Sequence, residues 1–261
     1  MSDTPDIITK MIKQIFILLL SSLLFISCSQ SKMLTRSLQK SKAPISYLHD
    51  SEIIEFDKTK TISLGNFNNQ IIDSITNVIV TKRIIIPLLV FNYFDRKYDV
   101  SLGQSNLDQN YTDFFKNSFI AESHRSGKYS FVDSNVSDYI LDIKIDRCNT
   151  TSKYQTTITD VYLGNYVMTT VKEKGFPSES KLVLSVKLKS KNKVVFEKDY
   201  EFDKIQAFSR PRSSQAYTSR TFFNNNNVIR TFFITNMVET LSLNTKECIE
   251  LIIDDINKEI N

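Results

Sequence analysis

Glycine is scarce in this chain. Five glycines stand among 261 residues, against an average usage near 7%. They are Gly65, Gly103, Gly127, Gly164 and Gly175, and no two lie closer than eleven positions. Phosphate-cradling loops, dinucleotide fingerprints and nucleophile elbows need glycines a few residues apart. The spacing excludes all three. Tryptophan is absent, and His49 and His124 are the two histidines. Zinc sites draw on several His or Cys side chains. With cysteines only at Cys28, Cys148 and Cys248, the expectation is no metal and no cofactor. Ser-x-x-Lys spacing occurs at Ser29–Lys32, Ser37–Lys40, Ser178–Lys181 and Ser190–Lys193. The Ser-Asp-Asn and Lys-Thr-Gly elements that accompany it in serine enzymes are missing. No catalytic residue is assigned, and the chain is expected not to be an enzyme. Strong charge of one sign is lacking too. The net charge is +4, too mild for a nucleic-acid footprint.

What is present begins at the N-terminus. Ile15 to Ile26 is a 12-residue apolar run broken only by two serines. A bilayer span needs about 20 residues, whereas a secretory signal has an apolar centre of about 7–15. Lys10 and Lys13 supply the positive flank, and Met11 makes an alternative start that would leave Asp3 and Asp6 outside the signal. The run closes in Phe25-Ile26-Ser27-Cys28. A small residue followed by Cys at this place resembles the lipobox of bacterial lipoproteins, with Phe25 where Leu is commonest. The resemblance implies cleavage before Cys28, lipid on Cys28, and a permanent membrane anchor. Residues 1–27 are then signal. Ser29 stands where Asp would favour the inner membrane, so the resemblance implies an outer-membrane lipoprotein facing the periplasm. Residues 28–46, rich in Ser, Lys and Gln, read as a flexible linker. An oxidising compartment permits a Cys148–Cys248 disulfide; two buried thiols are the other reading.

Residues 47–261 read as one domain. Ile53-Ile54-Glu55-Phe56 and Thr61 to Leu64 are β-prone. Asn77 to Phe94, apolar on both faces, predicts a buried strand with an edge, bulge or break at Pro87. Leu107 to Ser126 has helical spacing, with Gly127 as its stop. Tyr129 to Val132 is a short strand, and Tyr139 to Asp146 alternates as a half-buried strand. Tyr154 to Val171 supplies one or two more. Leu182 to Lys189 and Val194 to Phe202 form an antiparallel hairpin about Ser190-Lys191-Asn192. Lys204 to Asn227 has no period and reads as a structureless connection. The chain ends in two helices, the second starting at Asn244 to Glu247. This order predicts an α+β domain, with helices on one face of an antiparallel or mixed sheet.

Two groups of positions suggest contact with a partner. Phe208, Arg210, Arg212, Tyr217, Arg220 and Phe222 mix aromatics with arginine, the residue types of interaction hot spots. Lys181, Lys187, Lys189, Lys191 and Lys193 cluster about the hairpin, either as a basic surface or as a charged edge against aggregation. Asp138-Tyr139-Ile140-Leu141 opening a strand, and the hairpin Leu182 to Phe202, resemble periplasmic domains of accessory lipoproteins. Such proteins include auxiliary lipoproteins of envelope transporters and activator lipoproteins of cell-wall synthases. The resemblance implies an envelope protein partner and no catalysis. A lipidic or small ligand in a sheet–helix cleft, and an unrecognised hydrolase, are the alternatives.

Overall fold

The computed structural model describes residues 32–49, 58–69, 73, 76–87, 91–132, 137–163, 166–191, 193–208, 213–218 and 227–260. Ile53 to Phe56 and the apolar run before Cys28 lie outside them.

Two long strands form the spine. β5 (Tyr139–Leu163) and β6 (Tyr166–Ser190) have 25 residues each and pair antiparallel. The alternation read at Tyr139 to Asp146 is kept: Leu141, Ile143 and Ile145 are buried. The register then shifts between Ile145 and Arg147. The inward positions change parity, to Cys148, Thr150, Ser152, Tyr154, Thr156 and Ile158. An extra residue in one strand bends the ladder and reverses which side chains face the core. A second shift lies where Ser152 pairs with Ser178 and Tyr154 pairs with Gly175. Phe176 and Pro177 there oppose Lys153 alone. Pro177 has no N–H to give, so a bulge suits it. Gly175 suits the same place, because a Cβ on it would meet the Phe208 ring at 3.0 Å.

The remaining strands attach to this spine in two groups. β1 (Lys60–Asn69) runs parallel to the first half of β5, and β4 (Tyr129–Phe131) runs parallel to β1. β3 (Phe91–Ser101) pairs with the second half of β5, and β2 (Asn77–Pro87) pairs with β3. Across the spine, β7 (Lys193–Gln206) pairs with the second half of β6, and β8 (Ser213–Thr218) with its first half. The eight-stranded sheet is mixed and mostly antiparallel, as the α+β reading requires.

Three helices complete the domain. Residues 32–40 are helical (α1). α2 (Tyr111–Ser126) is capped by the Asn110 side chain, which accepts from the N–H groups of Thr112 and Asp113. That satisfies donors the helix leaves open. The expected stop holds, with Gly127 directly after the last helical residue. α2 buries Phe114, Phe115 and Phe119. Phe115 packs on Phe67, and Phe119 on Phe131. α3 (Asn227–Glu259) crosses the same face of the sheet.

Four sequence expectations are corrected. The break expected at Pro87 is there, but Asn77 to Phe94 is not one buried strand: it is β2, which ends at Pro87, and the start of β3. β2 takes the outer place beside β3, so Ile79, Val80 and Ile86 are 41–55% exposed. The two terminal helices are one helix of 33 residues. Asn244 does not cap a new start; its amide donates to Ser180 O and Phe202 O on the sheet. Thr245 donates to Leu241 O one turn back. Lys204 to Asn227 is not structureless, since β7 reaches Gln206 and β8 lies inside it. The free-thiol reading of the cysteines is kept: Cys148 and Cys248 are both buried and unpaired. Burial pushes the Cys148 thiol up to about 12, which keeps it protonated and inert.

The fourth correction concerns residues 28–46. From residue 32 onward this segment is not a flexible linker. Leu34 and Leu38, one turn apart on α1, are buried together with Ala43 and Ile45. Asn106, in a 3₁₀ turn (Gln104–Asn106), holds the segment from inside. Its side-chain amide donates to Leu38 O at 2.8 Å and also reaches Ser41 O. Its carbonyl O accepts from Ala43 N–H at 2.9 Å. Asp108 accepts from Ile45 N–H, and Gln109 donates to Ile45 O. Residues 41–49 thus form a strap across the start of α2.

Candidate functional site

Of the residues expected to meet a partner, Phe208 is the one whose side chain is described. It is half-buried against Gly175 and 6.2 Å from the Phe233 ring. Its role is to pack α3 on the sheet. Tyr217 lies on β8, in register with Thr169 of β6. Arg210, Arg212, Arg220 and Phe222 lie outside the described residues, as does Cys28. The structure therefore does not bring the six together as one described surface.

The lysines of the hairpin resolve differently. Lys187 pairs with Glu197 at 2.6 Å, Lys189 with Asp142 at 2.6 Å, and Lys181 with Glu201. β7 carries Glu197, Asp199, Glu201 and Asp203 at alternate positions. The apparent basic patch is an outer face of cross-strand ion pairs. Each is worth little in water, where the exposed charges are screened, but together they offset three of the five lysine charges of that face.

A buried polar cluster lies under the N-terminal half of α3, and no sequence pattern marks it. Arg230 of α3 donates to Glu173 of β6 at 3.1 Å, with side chains 8% and 2% exposed. The register Arg96–Thr156–Glu173 places Arg96 on the same line across β3, β5 and β6. Burial raises the Glu173 carboxyl pKa, against the opposing pull of the Arg230 guanidinium. The Tyr154 phenol beside them is raised well above its usual range, first by burial. Its ring packs edge-on to Phe233 at 4.9 Å. Further along α3, Asn236 pairs with Ser178, and Thr245 with Tyr111. These groups clamp the helix to the sheet. Arg230 meets one carboxylate oxygen of Glu173, while Glu173 Oε2, Arg230 Nε and the Tyr154 hydroxyl are buried without a hydrogen-bond partner among the described residues.

A second pair ties the strap to α2. His49 Nδ1 lies 2.7 Å from Glu122 Oε2, with the His49 ring 4.8 Å from that of Tyr47. Glu122 is 8% exposed and His49 34%. This carboxylate–imidazole pair sits at the surface end of the strap.

Among the described residues, three open grooves can be outlined. One of about 310 Å³ lies between the strap, the end of β7 and α3, and is bounded by Leu48, Gln206, Glu239, Leu243 and Lys246. A second, of about 440 Å³, follows the charged outer face at Asn66, Asp142, Lys144 and Lys187. A third, of about 330 Å³, lies at the β5 register shift, between Asp73, Asp146 and Arg147. The space between sheet and helices is occupied by a continuous apolar core running from Leu34 to Ile260. Among the described residues no group of three or more His, Cys, Asp or Glu is placed to hold a metal ion. No described helix is long and apolar enough to cross a membrane.

β7 is the other feature of note. It pairs with β6 along one side, and β8 takes a different stretch of β6. Its 14 residues are largely exposed, with Val194 at 51%, Val195 at 47% and Ile205 at 68%. No other described strand pairs with it, and an edge bearing apolar side chains is a surface on which another strand or chain can pair.

Known proteins add little to this geometry. No family model matches the chain. No curated protein matches it either. Among solved structures it is similar to protein XCC0632 from Xanthomonas campestris, described by the family model DUF330. The likeness covers 83% of this chain and 98% of that one, at 14% sequence identity and a TM-score of 0.36.

Proposed function

We propose that this chain is a lipid-anchored protein of the bacterial cell envelope, attached through Cys28, whose domain binds a partner protein and catalyses no reaction. The anchor reading is supported by the 12-residue apolar run closing in Ser27-Cys28. Ser29 after the Cys favours the outer membrane, with the domain in the periplasm. The observation that carries the partner-binding reading is β7, a long exposed edge with Val194, Val195 and Ile205 in water. A filled interior and a sticky rim suit a binding module better than an enzyme.

The test places a photo-crosslinking residue at Val195 in the full chain, expressed in its own host. Asn117, exposed on α2, is the control position. A discrete adduct from Val195 and none from Asn117 supports the reading. Equal, diffuse or absent adducts at both positions overturn it. The ligand-binding reading has its best place in the groove between Leu48 and Leu243. Copurified lipid displaced by Leu243→Trp would favour that reading instead.

A further inference from the structure

The sequence from Cys28 to Lys32 is Cys-Ser-Gln-Ser-Lys. At most about 3.5 Å of reach per residue separates an anchored Cys28 from the first described turn of α1, or about 14 Å in all. The helix has no freedom to drift from that point. Leu34 and Leu38 bury one side of it, Ser37 meets Arg230, and Gln39 donates to Thr76 O at 3.0 Å. Its other side carries Lys32, Met33, Arg36 and Lys40, all exposed. These recur at three- and four-residue intervals, so they share one face. Lys42 follows, also exposed. From Cys28 to His49 the chain holds four Lys or Arg and no Asp or Glu. Asp108 meets the segment at Ile45, beyond its basic stretch.

We propose that the exposed face of α1, formed by Lys32, Met33, Arg36 and Lys40 and extended by Lys42, lies on the membrane surface and binds anionic phospholipid head groups. The proposal rests on lipid attachment at Cys28. Its occupant is a bilayer because an anchor at Cys28 leaves this face no more than about 14 Å of slack, and because every charged residue on the face is basic. A lipid chain combined with a basic patch is a two-signal attachment, and each cation near an anionic surface strengthens it. The anchor would hold the domain in one orientation instead of letting it swing on a tether.

Two measurements separate the anchor from the docking. Metabolic labelling with a fatty-acid probe, in the full chain and in Cys28→Ser, reads the anchor alone. The labelled mature protein is then reconstituted in vesicles of phosphatidylcholine, with and without about 30 mol% phosphatidylglycerol, a composition that makes the surface strongly anionic. A spin label at Met33→Cys reports contact with lipid, and one at Val194→Cys serves as the distant control. Cys148 and Cys248 are buried with raised thiol pKa values, so they do not take the label. At position 33 the ratio of lipid-borne to water-borne relaxation should rise several-fold with phosphatidylglycerol. It should fall back in high salt, and again when Lys32, Arg36, Lys40 and Lys42 are changed to Glu. Position 194 should not respond. Lipid on Cys28 with an unresponsive position 33 overturns the docking and leaves the anchor standing. Absence of lipid on Cys28 overturns both. The response to salt in the unaltered helix decides the matter even if the fourfold variant fails to fold.

Discussion

The two halves of the β5–β6 spine are built from the same pair of strands by different chemistry. The half toward Tyr139 and Ser190 is flanked by β1, β4 and β7, and turns Leu141, Ile143, Leu184, Val186 and Leu188 inward. The half toward Leu163 and Tyr166 is flanked by β3, β2 and β8. Its inward line is Tyr154, Thr156 and Ile158 beside Gly175, Glu173 and Val171. Among the described residues Phe94, Ile158 and Val171 form a separate apolar cluster there. The two register shifts, near Arg147 and near Phe176, lie between these regions. Length gives one reason for the difference. A 25-residue strand extends about 80 Å, while a 33-residue helix extends about 50 Å. One helix cannot cover the whole spine. Hydrophobic burial suffices where α2 and most of α3 lie, whereas the other half meets the start of α3 with hydrogen bonds and an ion pair.

The largest effect should come from breaking that pair. Arg230→Met leaves Glu173 buried without its partner, which costs about 3–5 kcal/mol. Adding Glu173→Leu should restore most of the loss, because two matched apolar groups replace two matched charges. Urea unfolding of both variants checks this; a double variant as weak as the single one would show that the pair does more than fasten the helix.

The next comparison sets one isoleucine against another. Ile143→Ala opens a cavity in the continuous core and should cost about 4 kcal/mol, toward the upper part of the usual range. Ile158→Ala, in the three-residue cluster, should cost about 2 kcal/mol, where the surroundings collapse more easily. Equal losses would erase the distinction between the halves.

The smallest effect is one of pH. Burial disfavours the charged form of Asp255, but hydrogen bonds from Lys198, Lys258 and Tyr200 together hold its pKa below the usual range. Lys198 approaches at 2.6 Å and Tyr200 at 2.9 Å. A lowered folded-state pKa stabilises the fold above the unfolded value, and that gain is lost as pH falls through the folded one. Glu173 has the opposite sign, since its pKa is raised. Its charge opposes folding at neutral pH, and acidification relieves that cost. Asp255→Asn should therefore lose about 1 kcal/mol at pH 7, with the deficit shrinking between pH 4 and pH 2. Parallel stability curves for variant and parent across that range would contradict the assignment.

Much of the covered half was legible in the sequence, because period-2 and period-3.6 patterns record burial directly. Leu141, Ile143 and Ile145 reveal β5, and the Phe114, Phe115 and Phe119 stripe reveals α2. What defeated the pattern was tertiary. The parity change after Ile145 and the extra residue at Phe176-Pro177 leave no local mark except the proline. Asn244 and Thr245 have the side chains of a helix start, yet a sheet that accepts the Asn244 amide lets the helix run through. The Glu173–Arg230 pair joins residues far apart in sequence, with ordinary neighbours on both sides. Phe208 was legible as an aromatic in a loop, but not as the side chain that fills the space left by Gly175. The tether was misread because Ser, Lys and Gln outnumber Leu34 and Leu38. Two leucines one turn apart are enough once Asn106 supplies the hydrogen bonds.

The strap also bears on the order of assembly. The partners of α1 and of residues 41–49 are Asn106, Asp108 and Arg230, and those of β1 are Tyr139 to Ile145. Every one of them follows in the chain, the last by nearly two hundred positions. β5 and β6, by contrast, are neighbours in the chain, with Leu163 paired to Tyr166, and such local antiparallel pairings form quickly while distant parallel pairings wait. The end of the chain made first is therefore the end that locks last, after the spine and its terminal helix are in place. Until the fold is complete, residues 32–49 lack the partners that hold them; its completion fixes them against the domain.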